Sequence, residues 1–371
     1  MKLTCLQENL KKGLSIVNHL KSSNISLPIL NNVLIKATKG KIVLTTTDLE
    51  IGIKTVVRGK VEKEGEFTIP IQLFSNYINL LPNKQVKIEA QKDFLLIKCE
   101  NYFTKIKGIP ASEFPLIPKV EKKEKFSFKI KELKKAIHQV NFVVNPSEMR
   151  TEISGVLFNF NAPKEGLTTL VGTDSYRLAE KIVEFNNFNN KENKKIIVPL
   201  KTLQELLNIL EDGEEEIEIY LSENQILFFF NETELISRLI NGEYPNYKQI
   251  IPEEFKIEAK TSIDKLIQAI KGTGLFSRSG INDIDLDFNS KDNEIIISSS
   301  NSEIGESTSK VEADISGENG KITFNYRYLL DGLQNLEDEE VVMKISDSKS
   351  PGLIKSIKDE NYIYIVMPIG S

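Results

Sequence analysis

Gly65-Glu66-Phe67-Thr68-Ile69-Pro70, Lys195-Ile196-Ile197-Val198-Pro199 and Lys321-Ile322-Thr323-Phe324-Asn325 decide the architecture when they are set side by side. Each is a short run with strand character that leads straight into a Leu- and Tyr-bearing helical pattern. The step from Pro70 to Pro199 nearly equals the step from Pro199 to Asn325, and each is about a third of the chain. A second set gives the same period. Thr47-Asp48-Leu49-Glu50, Thr173-Asp174-Ser175-Tyr176 and Ser300-Asn301-Ser302-Glu303 follow one another at that spacing, counted from Asp48 to Asp174 to Asn301. Two anchors that agree indicate three copies of one unit. The period is far beyond the roughly 20–50 residues of a solenoid repeat, so each copy is expected to be a whole domain with its own core.

Working outward, each copy opens on a strand followed by an amphipathic helix. Leu133, Ala136, Ile137 and Val140 hold positions i, i+3, i+4 and i+7, and Ile263, Leu266, Ile267 and Ile270 repeat that spacing. Leu10, Leu14 and Val17 give a version with Gly13 at the missing place. Alternating residues precede the stripes at Leu3/Cys5, Phe126/Phe128/Ile130 and Phe255/Ile257/Ala259. Later alternations at Val86/Ile88/Ala90, Ile217/Ile219/Leu221 and Tyr362/Tyr364/Val366 suggest that each copy also repeats within itself. Boundaries are expected in the charged, Pro-containing stretch from Pro115 to Lys125 and at Ile251-Pro252-Glu253-Glu254, giving domains 1–122, 123–252 and 253–371.

Composition is that of a globular protein: 371 residues, 40% hydrophobic and 27% charged. No apolar run approaches the roughly 20 residues of a membrane helix, and Met1-Lys2-Leu3-Thr4-Cys5 has no signal-like apolar core, so a cytoplasmic protein without membrane partners is expected. Cys5 and Cys99 have no framework spacing and read as buried thiols. The net charge of −5 argues against a broad basic face but not against a confined one. The faces opposite the stripes carry Lys11 and Lys12, then Lys131, Lys134, Lys135 and His138, then Lys265, Gln268 and Lys271, with Lys201 opening another helix. The acidic runs, residues 211–216 and 337–340, follow helices. Such lysines can be simply solvated; repeated in three copies, they fit a shared cationic surface that touches phosphates without reading bases.

Catalytic signals are weak. His19 and His138 have no metal spacing with the cysteines, no phosphate-binding Gly-rich loop occurs, and the Ser-x-x-Lys matches lack partners. Asp48 and Asp174 occupy equivalent positions of different copies and read as turn residues rather than an acid/base couple. A metal-dependent nuclease would need clustered carboxylates within one copy. A repetitive β-rich adhesin would need an export signal and no basic helix faces.

Six stretches, in order, resemble the bacterial beta sliding clamp family over nearly the whole chain. They are Leu27-Pro28-Ile29-Leu30-Asn31-Asn32, Thr47-Asp48-Leu49-Glu50-Ile51, Pro110-Ala111-Ser112-Glu113-Phe114-Pro115, Thr173-Asp174-Ser175-Tyr176-Arg177-Leu178-Ala179, Gly242-Glu243-Tyr244-Pro245-Asn246-Tyr247 and Val366-Met367-Pro368-Ile369. The resemblance implies an α+β fold of three tandem clamp domains. Each has two helices on one side and antiparallel sheets on the other, and a head-to-tail homodimer forms a ring. It implies a non-catalytic processivity subunit with no cofactor or metal that encircles double-stranded DNA and tethers the DNA polymerase III alpha subunit, the clamp loader delta subunit and other proteins with a clamp motif.

The same resemblance implies a peptide groove of Ile153, Thr173, Ser175, Tyr176, Arg177 and Leu178, completed by Pro245, Ile250, Ile365, Met367 and Pro368. Read from residues alone, Thr-Asp-Ser-Tyr-Arg is also a strand-ending turn with Arg177 in a structural ion pair. DNA contacts fall to Lys12, Lys134, Lys135, Arg150, Lys201 and Lys271, and the ring seam to Leu275 and Phe276 against Phe114. The chain departs from the family pattern at Tyr176, where histidine is common, and in the tail Ile369-Gly370-Ser371, where an arginine is frequent. It departs again at Asn24 and Ile25, where the loop before Leu27 often carries an arginine.

Overall fold

The computed structural model describes residues 1–20, 27–38, 40–147, 149–187, 192–213 and 215–370. Asn24, Ile25, Glu214 and Ser371, named above, lie outside the described residues. Six α-helices occur among them: α1 (Gln7–Val17), α2 (Ile71–Leu80), α3 (Ile130–Asn141), α4 (Leu200–Ile209), α5 (Ile263–Gly274) and α6 (Tyr326–Gln334). Every one begins on the residue after a strand ends, as at Leu6/Gln7, Pro70/Ile71 and Asn325/Tyr326.

At α1, α2 and α5 no side chain caps the helix, and at five of the six helices the first amide is satisfied by a carbonyl elsewhere. Gln7 donates to Lys84, Ile130 to Glu215 and Ile263 to Glu339, at 2.9–3.0 Å. These three acceptors each lie at or just before the strand that follows the second helix, so one device recurs at three equivalent places. Leu200 donates to Ser154 and Tyr326 to Asn282 in the same manner. In α6 Asn325 adds a side-chain cap, accepting from the Arg327 amide.

The helical stripes are buried as their spacing requires. Leu133, Ala136, Ile137 and Val140 are fully buried, as are Leu266 and Ile270, while Ile267 is half-buried. Gly13 interrupts the α1 stripe for a steric reason: a Cβ there would stand 2.4 Å from Val57 Cγ2, so the helix lies too close to the strand for any side chain.

The chain divides into two compact units. The first comprises residues 1–131, 185–190 and 201–239; the second comprises 132–184, 191–200 and 240–371. The middle third of the chain is thus shared between them. Unit 1 holds a five-stranded sheet and a nine-stranded sheet, and unit 2 a twelve-stranded one. Every strand pairing among the described residues is antiparallel, with alternating side chains inward.

Each long sheet is continuous because two distant parts of the sequence pair. In unit 1 strand Ile51–Val57 pairs with Thr233–Arg238 through Ile53↔Leu235. In unit 2 strand Arg177–Glu184 pairs with Tyr362–Val366 through Leu178↔Ile365. The two thiols are free and buried on the core face of the five-stranded sheet. No described helix is long and apolar enough to cross a membrane.

Candidate functional site

The Thr-Asp motif builds the same turn twice. In unit 2 Thr173 Oγ1 donates to the Arg177 carbonyl (2.7 Å), and Asp174 Oδ1 accepts from the amides of Tyr176 and Arg177, both at 3.0 Å. Ser175 sits at φ +79°, held by its amide's bond to Thr173 Oγ1 (3.1 Å). In unit 1 Thr47 Oγ1 donates to Ile51 (2.8 Å), and Asp48 Oδ1 accepts from Glu50 (3.1 Å) and Ile51 (2.7 Å), with Leu49 at φ +81°. A β-region side chain that fixes its own backbone two and three residues on explains why Asp is needed at the second place. Neither carboxylate is set up as a general acid.

In unit 2 the turn feeds the strand that zips to Tyr362–Val366, and the ladder continues one step further. The Met367 amide donates to the Tyr176 carbonyl at 2.8 Å. That bond fixes Met367 and Pro368, both half-buried, beside Tyr176, whose ring is 63% exposed. Beneath lies an apolar floor of Leu157, Val171, Leu178, Tyr247, Leu353 and Ile365, with Tyr244 and Ile251 packed against it. Each fully buried aliphatic side chain of this kind contributes about 1.5–3 kcal/mol, so the floor is rigid before any ligand arrives. Two phenols tie the linker down: Tyr244 donates to the Val171 carbonyl (3.2 Å) and Tyr247 to Glu180 (2.5 Å). Burial raises the pKa of both.

The expected groove residues therefore separate into two layers. Ile153, Thr173, Leu178 and Ile365 are buried, and Tyr176 and Ile250 are exposed, with Ser175, Pro245, Met367 and Pro368 at or near the rim. Arg177 is the residue whose role differs most from a free polar edge. It is 12% exposed in its side chain and donates to Asp174 (3.0 Å) and Asp331 (2.5 Å), and it stacks on Tyr328 at 4.5 Å. Burial would lower its pKa, but Tyr364, Asp331 and Asp174 outweigh that and raise it. A desolvated stack of this kind is worth about 2 kcal/mol. Arg177 thus joins the turn to α6, as the structural ion-pair reading expects. Asp331 and Tyr328 are not legible as partners because nothing in their spacing ties them to position 177.

The cations assigned to DNA are mostly engaged. Lys12 pairs with Glu211 (3.0 Å), Lys135 with Glu337 (2.8 Å), Lys201 with Asp48, and Arg150 with Glu152 (3.6 Å) while donating to Ser175 (2.6 Å). Lys134 is half-buried, and Lys271 is exposed in the last turn of α5. The acidic runs do not stand apart from the helix lysines as their sequence positions suggest; Glu211 and Glu337 fold back onto them. Of the seam residues, Leu275 is 75% exposed and Phe276 half-buried, whereas Phe114 is buried with Ile29 and Leu30. Exposed apolar side chains of the first domain include Leu73 and Leu80 of α2, two helical turns apart and 55% and 80% exposed, and Tyr102 and Phe103 of the strand Tyr102–Lys107.

Comparison with known proteins bears on all of this. Family models for the N-terminal, central and C-terminal domains of the DNA polymerase III beta subunit match residues 1–118, 127–246 and 248–370. The beta sliding clamp of Staphylococcus aureus is 31% identical over 358 residues, spanning 94% of this chain and 93% of its own. The chain belongs to the DNA polymerase III beta subunit family. As a beta sliding clamp it is a non-catalytic processivity subunit built of three clamp domains. The solved beta subunit of Eubacterium rectale (29% identity, TM-score 0.93) and the sliding clamp of Bacillus subtilis (28%, 0.94) superpose on all of this chain and on 100% and 99% of theirs. A Pseudomonas aeruginosa sliding clamp solved with griselimycin bound is 27% identical with a TM-score of 0.94, over 100% of both chains.

Proposed function

We propose that this sliding clamp acts in the cytoplasm as a head-to-tail homodimer that encloses duplex DNA and holds replication proteins there by a short peptide. Its domains are 1–122, 123–252 and 253–371. The groove of unit 2 takes the apolar anchors of the peptide, carried by the polymerase III alpha subunit, the clamp loader delta subunit and other clamp-motif proteins. The observation that carries this reading is the bond from Met367 to the Tyr176 carbonyl, which sets an exposed ring, a thioether and Pro368 over a prebuilt apolar floor. A pliant Met on such a wall suits several partners.

Duplex contact falls to Lys12, Lys134, Lys135, Arg150, Lys201 and Lys271. Those in ion pairs would exchange a carboxylate for a phosphate, which gives weak, salt-sensitive and mobile contact. The seam joins Leu275 and Phe276 to the first domain of the second copy. There Leu73 and Leu80 of α2 offer exposed apolar surface, and Phe114 lies in the same domain, buried with Ile29 and Leu30.

Retention on DNA tests the reading. Loaded by its clamp loader onto a nicked circle, the protein should stay bound at high salt and be lost once the circle is linearised. Equal retention on both forms contradicts enclosure. Leu275→Glu should convert the dimer to monomer in sedimentation, because a charge buried at a seam costs several kcal/mol. An unaltered dimer removes that seam.

A further inference from the structure

Arg177 joins the exposed Tyr176 to the ladder that ends on Met367, and its side chain is held from outside that turn. Its amide donates to Asp174 Oδ1 (3.0 Å) and its carbonyl accepts from Thr173 Oγ1 (2.7 Å). It also opens its strand, paired with Val366 one step before the Met367 amide donates to the Tyr176 carbonyl. A shift of Arg177 therefore moves both walls of the groove.

Three acceptors meet the guanidinium. Nε donates to Asp174 Oδ2 (3.0 Å), Nη1 to Asp331 Oδ2 (2.5 Å) and Nη2 to the Phe142 carbonyl (3.4 Å), with the Tyr328 ring 4.5 Å away. Asp174 belongs to the turn itself, so it cannot anchor the turn to anything else. Asp331 can, because it stands on α6, and it makes the shortest of the three bonds. The partners differ in side-chain exposure, 12% for Arg177 against 45% for Asp331. The carboxylate is solvated enough to lose its charge at little cost in folding, whereas the guanidinium depends on its partners to stay in place.

Unit 1 lacks this tie. Ile51 opens the equivalent strand in place of Arg177, and Glu205 is the sixth residue of α4 as Asp331 is of α6. Glu205 Oε2 is buried and has no hydrogen-bond partner among the described residues. There the turn meets its helix through Asp48 and Lys201 instead. An acid at this helical place is thus common to both units. Only unit 2 supplies an arginine for it, beside the rim that carries Tyr176 and Met367.

We propose that Asp331 is a positioning residue for partner-peptide binding: by holding Arg177 it keeps Tyr176 and Met367 at the spacing that the peptide's apolar anchors meet. This rests on the groove reading above. Asp331 acts through the arginine rather than on the peptide. A side chain locked by a neighbour outside the site keeps the site in its binding geometry before a ligand arrives.

Calorimetry with a clamp-motif peptide and the full-length protein tests this, alongside hydrogen exchange resolved to single amides. Asp331→Asn should raise the Kd about tenfold, Asp331→Glu should recover most of that loss, and both should melt as the parent does. Arg177→Ala should weaken binding at least as much, and Asp331→Asn added to it should weaken it no further. Exchange at the Met367 amide should speed up in Asp331→Asn. Exchange at the Arg238 amide, which makes the equivalent bond to Glu50 in unit 1, should stay the same. Unchanged affinity in Asp331→Asn, where Met367→Ala does weaken the peptide, overturns the positioning role and leaves the groove standing. A peptide indifferent to Met367→Ala as well overturns the groove reading and the positioning role with it. The proposal is also overturned if the loss persists in full on top of Arg177→Ala, which would place Asp331 on the peptide itself. Equal changes in exchange at both amides with a lowered melting temperature would overturn it too, as a general structural effect.

Discussion

The turn at Thr47–Ile51 in unit 1 and the turn at Thr173–Arg177 in unit 2 are built alike, yet only one carries an exposed aromatic and a thioether at its rim. Both strands that leave them pair with a distant strand, and both ladders end on the same bond. The Arg238 amide donates to the Glu50 carbonyl at 3.1 Å where that of Met367 donates to Tyr176 at 2.8 Å. What differs is the rim and the filling. In unit 1 the rim residues are Glu50 and Arg238, an exposed pair at 3.4 Å, and the floor of Tyr220, Leu227 and Ile236 is covered by Ile117 and Val120. Gly52 stands where unit 2 has Leu178, and a Cβ there would approach Ile117 Cδ1 to 2.8 Å. In unit 2 Ile250, which stands one repeat after the buried Val120, is exposed. The scaffold is common, and the linker packs on both floors, Tyr247 and Ile251 in unit 2 as Ile117 and Val120 in unit 1; the two junctions differ where Ile250 stands exposed and Val120 is buried.

The largest effect should come from giving the open junction the closed one's rim. Tyr176→Glu with Met367→Arg should weaken a clamp-motif peptide about 100-fold, close to 3 kcal/mol by the usual conversion, with the dimer intact. Isothermal titration calorimetry checks this, and an unchanged Kd would remove the rim from the account. A smaller effect should follow from copying the open floor into the closed one. Gly52→Leu displaces Ile117 and should destabilise unit 1 by about 1–3 kcal/mol in urea unfolding, leaving peptide affinity unaltered.

The smallest effect concerns the tyrosines of the two floors. Tyr220 donates to Glu218 at 2.6 Å as Tyr247 does to Glu180. Burial first, then Glu218, pushes the Tyr220 phenol up to about 12 from the ordinary 10. A raised pKa means the folded state holds its proton longer than the unfolded chain. The contribution is therefore complete below about pH 10 and is lost as the pH climbs toward 12. Tyr220→Phe should cost about 1 kcal/mol at neutral pH and flatten that alkaline loss in unfolding curves. A steeper loss in the variant would contradict the assignment.

The repeat made the architecture legible. Period-two runs followed by helical stripes specify strand-then-helix wherever one face is buried, and Leu133, Ala136, Ile137 and Val140 behave as that rule requires. Gly13 was legible as a gap but not as a steric necessity, since Val57 approaches it from a strand far along the chain. The site was legible as motifs only. Thr173-Asp174 announces a turn, but Asp331 and Tyr328, to which Arg177 is attached, lie more than one full repeat further on, and no local pattern encodes that contact. The difference between Val120 and Ile250 is likewise invisible in two apolar residues at equivalent places. Charge was the least legible: sequence position sets Glu211 and Glu337 apart from the helix lysines, and the chain folds them back.

The most direct test of the comparison is photo-crosslinking of a clamp-motif peptide, carrying a photoreactive apolar residue, to the full-length protein, with the modified positions mapped by mass spectrometry. The account predicts crosslinks at Tyr176, Ile250 and Met367 and none at Glu50 or Arg238. Equal labelling of the two rims, or labelling of Glu50 and Arg238 alone, would contradict it.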